Sequence, residues 1–297
     1  MNILKLLADL AATPTTQFEN STPRREALGE LRRIGAKTLA AALPLGLGAL
    51  PTQARTTRTI LDSLQLALQL ERLQSAFYTR ALTAPASFFP ADGSIRASIV
   101  KMQAHQQQHV ALLTRLISSN AAIPALPTYD FTGSKNNTQP ALFPNVFSNF
   151  DQFLTLAQLL EDTGVRAYKA QVEFLTADNY TLQTALQLHS TEARHAARIR
   201  TIRRQRAAVV KPWPSPTDAS ITVAGKTDVV YATEHATTQV IYQAPTSTGA
   251  AGTYKPVPFR LLPIGSGMEL LTVSVPEAFD EPLSAEEAEA LLGLFTY

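Results

Sequence analysis

The chain has no cysteine. That absence excludes disulfide scaffolds, thiolate zinc sites, iron–sulfur clusters and thiol nucleophiles, and leaves His, Asp, Glu and backbone oxygen as donors for any metal. Glycine and proline are modest, 13 and 19 among 297 residues, which excludes collagen-like and low-complexity architectures. Charge of one sign is not in excess. The 26 basic and 24 acidic residues give a net +2 with no basic block, too balanced for a dedicated nucleic-acid binder. Serine near histidine, as at Ser190, lacks the context of a nucleophile elbow, and no glycine-rich phosphate loop occurs. What is present is a chain 45% hydrophobic and 17% charged, enough to bury a core.

Residues 1–54 read as a helical leader or export-type signal. Arg24-Arg25 and Arg32-Arg33 precede an apolar segment from Thr38 to Leu50, broken by Pro44, Gly46 and Gly48, with small residues following to Ala54. This is the layout of a signal that exports the protein, with the paired arginines resembling a twin-arginine signal. The apolar segment falls short of the roughly 20 residues a spanning helix needs. Export to the periplasm or beyond is therefore expected, with a basic surface helix in the cytoplasm as the alternative.

Four helix-period stretches follow, near 56–83, 94–119, 149–177 and 180–206. The first and third match at an offset of 90 residues, aligning Leu64, Ala67, Glu71 and Tyr78 with Leu154, Ala157, Glu161 and Tyr168. The second and fourth match at an offset of 86, aligning Met102, Gln106, His109 and Leu113 with Leu188, Glu192, His195 and Ile199. Each set steps by three or four and so shares one helix face. Carboxylates are rarely placed on an apolar face unless paired or bound to a metal, because desolvation costs several kcal/mol per ion. One Glu from each of two helices, with Glu-x-x-His from each of the others, is the arrangement of di-iron and di-manganese carboxylate bundles. The second helix departs from it, since Gln106 stands where a second bridging carboxylate belongs. Three carboxylates leave one positive charge uncompensated on two divalent ions, whereas one ion on Glu161, Glu192 and His195 is accommodated. Tyr78 and Tyr168 read as core aromatics with hydrogen-bonded hydroxyls. His105, His189 and His235 read as surface residues.

The chain resembles the bacterial ferritin-like domain proteins of the desiccation-related type. The resemblance covers roughly 56–206, with Glu71, His109, Glu161, Glu192 and His195 on that family's metal-ligand positions. It extends to the leader run 42–48 and to Glu277-Ala278-Phe279-Asp280-Glu281-Pro282-Leu283 near the end. It implies iron or manganese, one or two ions or none, in a redox or stress-protective role. The alternative is a non-catalytic, protective envelope protein with a vestigial site.

The connection 120–148 is far longer than a turn needs and serves as the crossover of such a bundle. Beyond Arg206, Pro212-Trp213-Pro214-Ser215-Pro216 breaks the helix. Ile221 to Val223, Thr227 to Thr233, Thr238 to Tyr242 and Leu270 to Val275 read as strands, and Ser284 with Glu287 opens a last helix. The expected architecture is an all-α core, a ferritin-like four-helix bundle over 55–207. A C-terminal extended, β-rich appendage over 208–297 ends in a short helix, and its arms are expected to mediate self-association.

Overall fold

The computed structural model describes residues 58–119, 121–234, 236, 238–243, 253–258, 276–278 and 280–297. Five α-helices lie among them: α1 Ile60–Leu82, α2 Gly93–Ser118, α3 Phe150–Gln171, α4 Asn179–Gln205 and α5 Ala285–Leu294. Each starts at a residue whose side chain accepts from the orphan N–H groups of the first turn. These caps are Thr59, Asp92, Asn149, Asp178 and Ser284, and Thr59 and Ser284 complete capping boxes with Asp62 and Glu287. The leader 1–54 and His235 lie outside the described residues, as does the segment 270–275.

Helices α1 to α4 form the expected bundle. α1 packs chiefly on α2, α3 on α4, and α1 also meets α3, whereas α2 and α4 are the most loosely packed neighbouring pair. The core is apolar and aromatic at one end, where Phe77 stacks on Phe153 at 4.9 Å and meets Phe131 edge-on at 5.3 Å. Leu68, Leu113, Ile117 and Tyr168 fill the other end. Each such fully buried side chain contributes roughly 1.5–3 kcal/mol. The crossover carries Asp130, whose carboxylate accepts from Thr132 and Ser134 hydroxyls and from the Thr132 and Asn136 amides. Those bonds hold three successive residues, Lys135 to Asn137, in the left-handed region, a conformation for which asparagine is better suited than most residues.

The C-terminal region is not β-rich. Its described strands are one antiparallel hairpin, β1 Thr238–Gln243 with β2 Thr253–Pro258. Residues 221–223 are irregular, and the expected strand 227–233 instead holds a short 3-10 turn, Asp228–Val230. The physical reason is Arg166 on α3, which is buried and donates to the Val229 and Val230 carbonyls through Nη1. A guanidinium fork thus satisfies backbone that a ladder partner would otherwise have to satisfy. Ile221, Val223, Val229 and Tyr231 pack individually on the bundle rather than along a pleat.

The same arginine binds the acidic tail segment by its backbone. Arg166 Nε donates to the Glu281 carbonyl at 2.7 Å, and the Leu283 N–H returns a bond to the Arg166 carbonyl at 3.1 Å. Lys169 donates to the Asp280 carbonyl. Glu277 is clasped by Lys211 Nζ at 2.6 Å, Ser215 Oγ at 2.6 Å and Trp213 Nε1 at 3.0 Å. α5 then buries Leu291 and Leu292 against α1 and α3, and Tyr297 N–H reaches the crossover at the Thr128 carbonyl. The described segments of the appendage that make these contacts form a strap on the α1–α3 side of the bundle. Among the described residues no helix is long and apolar enough to cross a membrane.

Candidate metal centre

The repeat in the sequence is a repeat in space. Glu71 on α1 and Glu161 on α3 are fully buried, Gln106 on α2 and Glu192 on α4 likewise, and His109 and His195 retain slight exposure. All five sequence-predicted ligands converge, in two groups that share one residue: Glu71, His109 and Glu192, and Glu161, Glu192 and His195. Donor atoms within each group lie within 4.8 Å of one another. His109 Nδ1 is 3.1 Å from Glu71 Oε2 and 3.7 Å from Glu192 Oε1. His195 Nδ1 is 3.4 Å from Glu161 Oε2 and 3.5 Å from the same Glu192 Oε1. One carboxylate oxygen therefore stands between both imidazoles.

Two tyrosines tie the halves crosswise. Tyr168 on α3 donates to Glu71 Oε1 at 2.7 Å, and Tyr78 on α1 donates to Glu161. Each leaves the other oxygen of its carboxylate turned toward a histidine. Burial, followed by the adjacent carboxylates, pushes both phenols well above their usual pKa, so they remain donors.

Gln106 and three residues that the sequence reading passed over or placed at the surface complete the site. Gln74 on α1 donates to the Leu160 carbonyl at 3.1 Å and to Glu192 Oε2 at 2.7 Å. Gln106 Nε2 donates to Glu192 Oε1 and to Gln74 Oε1, each at 3.1 Å. Gly164 on α3 makes room: a Cβ there would lie 2.6 Å from Glu192 Oε2 and 3.0 Å from Gln74 Nε2. The offset of 90 residues pairs Gln74 with Gly164, so the repeat held the signal that this position is occupied from one side only. His105 is the third. It is half-buried rather than a surface residue, and its Nδ1 lies 3.0 Å from His195 Nε2 with the rings stacked. His189 is also half-buried, with Nδ1 3.0 Å from the Val165 carbonyl, and takes no part in the site.

Electrostatics follow from enclosing this many groups together. Desolvation, then the Glu192 charge, raises the carboxyls of Glu71 and Glu161 above the ordinary range. Desolvation opposes ionisation of Glu192 too, yet His195, His109 and Gln74 outweigh it and its carboxyl is lowered. Burial disfavours the His195 imidazolium, but Glu161 and Glu192 overcome that and raise it to about 10. His109 is raised by Glu71 and Glu192 against its own desolvation. Without a cation, protons balance the charge; a bound metal would displace them.

The residues fit a metal. Around an ion with ligands at about 2.0–2.2 Å, adjacent donors lie roughly 2.9–3.6 Å apart, and the four carboxylate–imidazole separations fall at or near this interval. Glu161 Oε2, Gln106 Oε1 and His195 Nδ1 are buried without hydrogen bonds, a costly state unless another partner satisfies them. Carboxylate oxygen with imidazole suits iron or manganese. In such a centre Glu71 and His109 would hold one ion, Glu161 and His195 the other, with Glu192 between.

The fold and this donor set define a carboxylate–histidine cluster, able to hold a metal, inside a four-helix bundle. Residues 59–205 match the ferritin-like domain family, and the chain carries a ferritin-like domain. No curated protein matches the chain.

Proposed function

We propose that this protein is a metal-dependent ferritin-like protein of the desiccation-related type, exported through residues 1–54, in which iron or manganese serves a redox, stress-protective role. The observation that carries this reading is the position of Glu192 Oε1 between His109 Nδ1 and His195 Nδ1, at 3.7 and 3.5 Å. Bound iron or manganese would supply one-electron chemistry toward dioxygen or peroxide. The chain's own residues hold and insulate: Tyr78 and Tyr168 fix the outer oxygens of Glu161 and Glu71, while Gln74 and Gln106 aim Glu192. The strap of the C-terminal region excludes water from the α1–α3 side.

A second reading is favoured by Gln106. Its amide satisfies Glu192 Oε1 without any cation, as expected of a vestigial site in a structural protein that self-associates through its C-terminal arms. Elemental analysis of protein purified without added metal, then loaded with Fe(II) or Mn(II), separates the two. Bound metal that disappears in Glu192→Ala supports the redox reading. No uptake after loading rejects it and directs attention to assembly of the full chain.

A further inference from the structure

The centre is one negative charge short, and its least buried residues lie on one side of the bundle. Glu71, Glu161 and Glu192 supply three carboxylates, against four positive charges on two divalent ions. The ligand positions with any exposure are the two histidines, which sit on α2 and α4. These helices are also the most loosely packed of the neighbouring pairs in the bundle, while the strap covers the opposite side. The seam between them is cationic. α2 contains no Asp or Glu, and the sole acid in α4 is the buried Glu192.

The cations lie where the route would be. Lys101 and His105 are one helical turn apart on α2, with His109 one turn further, so the three form a ladder along that helix. Across the seam Arg194 adjoins His195, and Arg198 Nε donates to Ser98 Oγ at 3.0 Å. The charges of Lys101 and Arg194 are felt at His105, after burial and the two neighbouring imidazoles. Beside the buried Glu161 and Glu192 of the centre itself, Asp92, the cap of α2, interacts with Arg198. Such a seam repels an approaching cation and concentrates small anions.

We propose that a small monovalent inorganic anion, drawn in between Lys101 and Arg194 past His105, is a required external ligand of the two-metal state, supplying the negative charge that Gln106 lacks. This rests on the metal-binding reading above. It makes full occupancy depend on the anion: the first ion binds to three protein ligands alone, and the second binds with the anion.

The test uses full-length, metal-free protein, Co(II) as a spectroscopic stand-in and azide as the anion, in a buffer of weakly coordinating ions. Wild type is expected to take one Co(II) without azide and two with it, the affinity for the second rising at least about tenfold. Gln106→Glu should take two without azide and respond to azide less than about twofold. Lys101→Glu/Arg194→Glu, at exposed positions, should weaken the azide response about fivefold or more at low salt, with the difference collapsing at high salt. Two Co(II) in wild type irrespective of azide overturns the proposal, as does an unchanged azide response in the double variant. If Gln106→Glu does not fold, the double variant decides alone. Absence of any Co(II) spectrum in wild type overturns the metal reading itself, an outcome distinct from bound Co(II) that ignores azide.

Discussion

Gly164→Ala sets two effects of opposite sign against each other. A glycine inside α3 costs the helix about 0.8–1 kcal/mol relative to alanine, so a site with free space would be stabilised by that amount. Here the added Cβ would stand 2.6 Å from Glu192 Oε2, against 3.4 Å for ordinary contact, so the carboxylate must retreat by about 0.8 Å. Gln74 cannot give way freely, since its amide is also bonded to the Leu160 carbonyl. Overpacking of this kind costs about 1–3 kcal/mol, leaving a net destabilisation of up to about 2 kcal/mol. For a body of this size that lowers the midpoint of thermal unfolding by up to roughly 8 °C. The metal effect is the sharper one, because a shift of this size exceeds the roughly 0.5 Å tolerance of a binding constellation. Affinity should fall about 10- to 100-fold. The assay is paired: calorimetry of the metal-free protein, and metal titration. A more stable variant with wild-type metal affinity would refute the placement of Glu192 against Gly164.

Metal-free protein should lose thermal stability as pH rises from about 6.5 toward 10. The His195 imidazolium contributes fully below its ordinary value and is lost as pH passes about 10, and Glu71 and Glu161, raised to about 7 and about 8, act in the same direction from about 4.5 upward. Metal loading should abolish that slope; a scan of unfolding temperature against pH, with and without Fe(II), checks it. Tyr168→Phe should cost about 1–3 kcal/mol by leaving Glu71 Oε1 without its donor, read by chemical denaturation. Arg166→Met should cost about 3–5 kcal/mol, because it strands buried carbonyls at 229, 230 and 281 together with Glu234; limited proteolysis should then cut beyond residue 207 before the bundle unfolds. Glu277 is held down to about 2 by Lys211 first, then Ser215 and Trp213, so its contribution is present above about 4.5 and lost as pH falls toward 2. The single tryptophan, Trp213, reports this directly: its emission should change over that window, and Glu277→Gln should show the acid spectrum at neutral pH.

The bundle and its inward-facing carboxylates and imidazoles were legible because helix period and repeat offset are local signals. Glu71, His109, Glu161, Glu192 and His195 could each be placed from spacing alone, and all five converge. The C-terminal region was not legible in the same way. Ile221-Thr222-Val223 and the stretch from Thr227 carry strand propensity, but propensity records how a residue suits a pleat, not whether a partner strand exists. Arg166, 63 residues away from Val229 in sequence, supplies the bonds instead. His105 was misplaced for a related reason. It lies one position before the core stripe of α2, and only the proximity of α4 turns its ring onto His195.

The departures from internal symmetry are connected rather than scattered. At the offset of 90 residues Gln74 faces Gly164, and at 86 Gln106 faces Glu192 and His105 faces Thr191. Loss of one bridging carboxylate alone would leave Glu192 free to turn toward either half. Instead Gln106 fixes its Oε1 and Gln74 its Oε2, and Gly164 vacates the space that this orientation needs. The two amides cost the centre a charge and return a defined geometry, with one oxygen shared between two imidazoles. Reversing only one element should therefore do more harm than reversing two that belong together. Gln106→Glu in wild type places a second carboxylate beside Glu192 Oε1, and without metal the pair repels. Adding Gln74→Ala removes the amide that anchors Glu192, freeing it to turn away. The double variant should then recover part of the metal-free stability lost by Gln106→Glu, a coupling that a double-mutant cycle measures. Strict additivity of the two changes would show that Gln74 and Gln106 hold Glu192 independently.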